Sequence, residues 1–150
     1  MSQISRTDFQ NIVHQLVNLE EKQQELVKEL FPDPSPERAR FQQLLAQYIG
    51  SLDEFIKSVS VLEKETNFPL VTLDSIVEAQ ELDSGESYRF HLVLPFQAGL
   101  SLEDVSILSP LGQALLLKTP GETIMVKAPG GTFHYKILAI HFSGSHKSAS

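Results

Sequence analysis

The sequence predicts an α+β chain, with an antiparallel helical hairpin in its N-terminal half and an antiparallel sheet domain carrying one short helix in its C-terminal half. Three observations carry this. Up to Leu62 the apolar residues recur in steps of three and four, the spacing of a coiled-coil seam. Pro32, Pro34 and Pro36 interrupt that spacing once, where no helix interior can continue. Beyond Pro69 the spacing falls towards two, and Gly and Pro punctuate the chain at turn positions.

The first seam, between Asp8 and Leu30, consists of Phe9, Ile12, Leu16, Leu19, Leu26 and Leu30, with Gln23 in the one missing place. Thr7 or Asp8 is the expected N-cap. Phe31 to Glu37 is a tight turn that ends with Ser35 as N-cap and Pro36 as first helical residue, where its missing N–H costs nothing. The second seam is Phe41, Leu45, Tyr48, Leu52, Phe55, Val59 and Leu62, with Gly50 as its weak helix former. Two seams joined by a short loop make a hairpin. Arms of about 23 to 30 residues, rising about 1.5 Å per residue, extend it roughly 35 to 45 Å.

Near Asn67-Phe68-Pro69 the helical spacing ends, and the residue before a proline is pushed to extended geometry. The expected organisation is a coiled-coil hairpin over 1–67, a sheet domain over 68–142 and a disordered tail over 143–150, which has no apolar anchor. Within the sheet domain, Val71 to Leu82 reads as extended chain and Asp83-Ser84-Gly85-Glu86 as a turn. Tyr88, Phe90, Leu92 and Leu94 alternate with Arg89, His91 and Val93 as a half-buried strand. Pro95 to Gly99 is a loop and Val105 to Leu108 a strand. Ser109 then caps a helix that opens on Pro110, buries Ala114 to Leu117 and is stopped by Pro120-Gly121. Thr123 to Lys127 is a strand, Pro129-Gly130-Gly131 reverses it, and the long apolar run Phe133 to Phe142 belongs inside the sheet.

Composition narrows the function. A net charge of −7 and a pI near 5.1 disfavour a nonspecific clamp on nucleic-acid phosphates, so a protein partner fits better. No cysteine is present, which removes disulfides and thiolate chemistry and suits a reducing cytoplasm. The N-terminus lacks the apolar run of a signal peptide, and no stretch approaches the roughly 18 apolar residues of a membrane span, so a soluble cytoplasmic protein is expected. His91, His134 and His141 could share the sheet but lack a ligand spacing with a third donor, so neither a metal nor a cofactor is expected. No Gly-x-Ser-x-Gly elbow supports a hydrolase.

The order Ser109-Pro110-Leu111-Gly112, buried helix, Pro120-Gly121-Glu122 turn, strand, Pro129-Gly130-Gly131 and last strand resembles the C-terminal domain of the bacterial Gre transcript-cleavage factors and their relatives. The resemblance covers about Val71 to Phe142, and the N-terminal half matches in architecture only. It implies a domain folded like the FK506-binding proteins that docks on the rim of the secondary channel of RNA polymerase, while the hairpin passes down that channel. By the same carry-over Ser109, Pro110 and Leu111 are the docking residues, and Gln113 departs from the basic residue often found at its place in the family. The kinship with prolyl isomerases does not extend to an isomerase pocket, because this half has no tryptophan to line one.

Transcript cleavage in the family depends on acidic residues at the hairpin tip, in an Asp-Leu-Lys-Glu-Asn-like run, that help to hold a second metal ion. Here the tip is Pro32-Asp33-Pro34-Ser35-Pro36-Glu37-Arg38, which keeps two carboxylates without that run. The plainer reading makes Asp33 a turn residue and Glu37 a complement to the positive end of the second helix. The resemblance therefore implies a transcription regulator, not itself an enzyme; its oligomeric state is left open by the sequence, with a monomer favoured. It binds RNA polymerase and meets nucleic acid only within the transcription complex, as in the relatives of the regulator of nucleoside diphosphate kinase type. Two alternatives stand beside it: a cleavage-stimulating factor working through Asp33 and Glu37, and an interaction module for an unrelated protein.

Overall fold

Two long helices, α1 (Arg6–Leu30) and α2 (Pro36–Ser58), form the antiparallel hairpin of the N-terminal half, and a five-stranded sheet with one short helix forms the C-terminal half. The computed structural model describes residues 3–62, 67–99 and 101–142, in two compact units, Met1–Glu65 and Thr66–Ser150. The expected tail over 143–150 lies outside the described residues.

The helix ends differ from expectation for one reason. Gln3–Ser5 is a strand, β1, paired in parallel with β2 (Ser60–Leu62). Because the chain is extended up to Ser5, that residue and not Thr7 or Asp8 caps α1, its Oγ accepting the Asp8 N–H at 3.1 Å. For the same reason α2 stops at Ser58. Val59 is its C-cap, with its N–H on the Phe55 carbonyl at 3.0 Å, and Leu62 sits on β2 and not on the seam. Ile4 is fully buried in this small pairing.

Between the helices the buried residues are Ile12, Leu16, Leu19 and Val27 from α1 and Phe41, Leu45, Tyr48 and Leu52 from α2. Each contributes roughly 1.5 to 3 kcal/mol of apolar burial. Leu26, expected in the interface, is only half-buried, as are Phe9, Leu30 and Phe55. An α-helix drifts by about 20° per heptad against a strict 3.5-residue repeat, so one residue later, at Val27, the side chain comes round to the partner. Tyr48 spends its hydroxyl on the Gln15 side-chain carbonyl, which satisfies the one polar atom of the second seam.

The sheet runs in the order β5-β4-β3-β7-β6, from β3 (Ser75–Glu81), β4 (Ser87–Val93), β5 (Asp104–Ser106), β6 (Thr123–Ala128) and β7 (Gly131–Phe142). Every pair is antiparallel except β4–β5. The sequence reading placed a strand at Val105 to Leu108 within an antiparallel sheet; the strand is shorter, lies at the edge and runs parallel. After β4 a helical turn at Pro95–Gln97 and a second turn at Ser101 to Asp104 carry the chain back to the start of its neighbour, so it re-enters in the same direction.

One sheet face is the core. Val77, Ala79, Leu92, Ile124, Val126, Ile137, Ile140 and Phe142 are buried there, with Leu115 and Leu116 from the end of α3 (Pro110–Leu115). Ile137 and Ile140 are three residues apart, which alternation forbids. A bulge opposite Glu78 and Ala79 absorbs Leu138 and leaves it half exposed, so both isoleucines point inward. Two residues beyond α3, Leu117 has a φ of +67°, which costs a side-chain-bearing residue roughly 1 kcal/mol. Its N–H bonds the Val71 carbonyl at 2.7 Å and the Val71 N–H bonds the Lys118 carbonyl at 2.9 Å, which holds the strained turn in place.

Candidate functional site

The corner at the start of α3 is built by one serine acting twice. Ser109 Oγ accepts the Gly112 N–H at 3.0 Å as N-cap and donates to the Ser106 carbonyl at 2.7 Å, which also takes the Ser109 N–H at 3.0 Å. The cap thereby ties the first turn of α3 to the end of β5. Pro110 stands exposed on that turn, Leu111 is half-buried beside it, and Gln113 donates its side-chain amide to the Leu108 carbonyl at 3.1 Å.

Sequence reading missed the residue on which the corner depends. Gly112 is buried, and a Cβ added to it lands 2.0 Å from the Ser106 carbonyl oxygen and 2.8 Å from its carbon. No side chain fits. The signal was present as a glycine two residues after the proline of a capped turn, but only the approach of β5 shows why it must be glycine.

A second turn, Thr119-Pro120-Gly121-Glu122, closes the other end of α3. Gly121 has φ +91°, its N–H reaches the Ile137 carbonyl at 2.7 Å, and the Glu122 carboxylate accepts the Thr119 N–H at 2.7 Å and hydroxyl at 3.0 Å. The Thr119 N–H, then its hydroxyl, hold the Glu122 carboxyl below its ordinary value. Glu81 is likewise held low, first by the Asp83 N–H and also by the Ser84 N–H, both at 2.9 Å. A carboxylate depressed in the folded state adds stability that is complete above its unfolded value of about 4.3 and vanishes as pH falls through the lower folded value. Acid unfolding of the sheet unit should therefore be shallower below that pH in Glu122→Gln than in the parent chain. Equal slopes would remove Glu122 from the turn.

Three local contacts hold the hairpin tip. Ser35 Oγ accepts the Arg38 N–H at 3.0 Å, Arg38 Nη1 donates to the Pro32 carbonyl at 3.4 Å, and the rings of Phe31 and Phe41 meet at 5.8 Å. Asp33 is exposed within the proline turn. Glu37 is exposed in the first turn of α2, with the Arg40 guanidinium 3.7 Å away. Both partners of that pair are open to solvent, so it binds weakly. On the sheet, His91 and His141 flank Ile76 on one face: His91 lies 3.4 Å from Asp74 and 3.3 Å from Asp104, and His141 lies 3.0 Å from Glu78. His134 is on β7 opposite Met125. Among the described residues no three His, Asp or Glu side chains gather closely enough to share a metal ion, and no helix is long and apolar enough to cross a membrane.

The family model described as "Transcription elongation factor, GreA/GreB, C-term" matches residues 65–142, just over half of the chain. The chain belongs to the GreA/GreB transcription elongation factor family. GreA of Nitratidesulfovibrio vulgaris is 35% identical over 100 residues, 59% of this chain and 62% of that protein. GreA of Thermodesulfovibrio yellowstonii is 40% identical over 72 residues, 48% of this chain and 46% of its own. Thus the chain spans about three fifths or less of the length of these curated relatives. The solved structure of the prokaryotic transcription elongation factor GreA/GreB from Nitrosomonas europaea superposes with a TM-score of 0.52 at 25% identity, covering 95% of this chain and 100% of that one. Helical hairpin and sheet domain thus recur together as Gre architecture.

Proposed function

We propose that this Gre-family chain is a transcription elongation regulator that binds RNA polymerase at the secondary channel through residues 68–142 and places its 1–67 hairpin in the channel, with little transcript cleavage of its own making. Ser109, Pro110 and Leu111 form the docking corner. The observation that carries the reading is the corner itself: a serine cap spends both its hydrogen-bonding roles on the fold, which leaves Pro110 outward on a turn that cannot shift. A preorganised apolar contact of that kind loses little entropy on binding.

The tip supports the second half of the proposal. A metal-holding pair needs two carboxylates free to converge on one ion. Asp33 and Glu37 are separated by Pro34 and Pro36, and Glu37 has the Arg40 cation beside it. The chain then has no catalytic residue and acts by occupying the channel.

Retention by immobilised core RNA polymerase is the test. Ser109→Glu with Pro110→Ala should weaken it by about tenfold, the size of a lost interface anchor. Retention of the double variant at parent levels would transfer docking elsewhere, and failure of the parent chain to bind would favour an unrelated partner. In stalled elongation complexes the chain should yield no shortened RNA. RNA that shortens, and ceases to do so with Asp33→Asn and Glu37→Gln, would restore the cleavage reading.

A further inference from the structure

From Ser87 to Phe90, β4 has a described strand neighbour on one side only: β3 pairs with it from Ser87 to His91, whereas β5 begins to pair at His91. The direction of its backbone groups follows from bonds at the far end. The His91 N–H points to β5, donating to the Glu103 carbonyl at 2.8 Å, and the Leu92 carbonyl points the other way, accepting the Asp74 N–H at 2.8 Å. That direction alternates along a strand. Ser87 and Arg89 therefore turn N–H and C=O away from β3, to an edge that no strand among the described residues covers. Such an edge is a template for another strand.

The side chains beside this edge have a definite chemistry. Tyr88 and Phe90 lie parallel with centroids 5.8 Å apart, and Tyr135 of β7 stands edge-on to both at 6.0 and 5.5 Å. Tyr88 is still 38% exposed. Acids bracket the rings: Asp83 and Glu86 precede the edge segment, Glu103 lies where β5 begins, and Glu86 accepts the Tyr88 hydroxyl at 2.8 Å. Of these acids Glu86 acts on Tyr88 directly. The hydrogen bond to Glu86, then its charge, raises the Tyr88 pKa, while burial and then the Glu81 charge raise that of Tyr135. On the opposite face of the strand the one cation is Arg89, which disfavours a second cation there.

We propose that the Ser87–Phe90 edge takes up an extended segment of another protein as an added strand, one that carries arginine or lysine at every second position so that its cations lie over Tyr88 and Phe90 between Glu86 and Glu103. Strand addition supplies affinity through the main chain, and the alternate side chains supply choice. Aromatic faces and carboxylates both attract cations, and Arg more than Lys. The surface shares no residue with the Ser109-Pro110 corner, so its fate is independent of polymerase docking.

Fluorescence anisotropy of the full chain with labelled synthetic peptides tests it. A peptide alternating arginine with threonine should bind saturably, and the same peptide with glutamate for arginine should bind at least about tenfold more weakly. N-methylation of alternate amides in the arginine peptide should cost at least about tenfold as well, because a methylated edge cannot pair. Tyr88→Leu keeps the bulk of the ring and removes its π face, and should weaken the arginine peptide by about threefold or more, as should Glu86→Gln with Glu103→Gln. Equal binding of both peptides, or indifference to N-methylation, overturns the proposal. So does sedimentation that shows self-association of the parent chain, abolished by Tyr88→Leu, with no binding of the arginine peptide; the edge would then belong to a second copy.

Discussion

Gly112→Ala is expected to destabilise the sheet unit by about 3 kcal/mol or more, the upper range for an added methyl with nowhere to go. The new Cβ meets the Ser106 carbonyl oxygen at 2.0 Å, its carbon at 2.8 Å and Ile107 Cα at 3.0 Å. All three are backbone atoms, so no side chain can swing aside. Relief requires α3 to lift from β5, which breaks the two bonds that Ser109 makes to the Ser106 carbonyl and frees the Pro110 turn. Denaturant unfolding followed by near-ultraviolet tyrosine signals measures the loss, because two of the three tyrosines, Tyr88 and Tyr135, belong to this unit. Gly50→Ala is the matched control with the opposite sign. Nothing lies within 4 Å of the added Cβ, and replacing a mid-helix glycine should stabilise the hairpin by about 0.5 to 1 kcal/mol. If Gly112→Ala is as mild as that control, the corner is not close-packed and its role as a fixed docking point falls.

The contrast between the two glycines shows what local sequence can and cannot carry. Gly50 was legible, because helix propensity is a property of the residue and its near neighbours. Gly112 was not, because its constraint comes from β5, whose own placement was misread. The caps Ser35-Pro36 and Ser109-Pro110 were readable for the same reason as Gly50: a serine side chain satisfies an N–H three residues away whatever the rest of the chain does. Contacts set by distant partners escaped. β1 is three residues long, too short for any period, and forms because α2 brings β2 back beside it at the open end of the hairpin. Val27 replaces Leu26 in the interface because real helical pitch departs from the heptad. At the tip the residues Asp33 and Glu37 were visible, but the Arg40 cation beside Glu37 and the Phe31–Phe41 contact were not, since they depend on how α2 turns after Pro36.

That ring contact supports the second large prediction. Phe41→Ala should cost the hairpin about 3 to 5 kcal/mol, since it empties a fully buried aromatic site. The loss falls at the tip end, where Phe31 packs at 5.8 Å and would lose its partner just as the chain enters the proline turn. Helical circular dichroism during denaturation should show the hairpin transition moving to lower denaturant, with the transition of the sheet unit unchanged, because Phe41 and Phe31 both belong to the hairpin unit. Under the proposed division of labour the consequence for transcription is equally selective. The variant should still be retained by RNA polymerase through its Ser109-Pro110 corner, and should lose its effect on elongation as the probe frays. Should Phe41→Ala abolish retention as completely as Ser109→Glu with Pro110→Ala, the hairpin and not the corner supplies the binding energy, and the sheet unit becomes the passive half of the molecule.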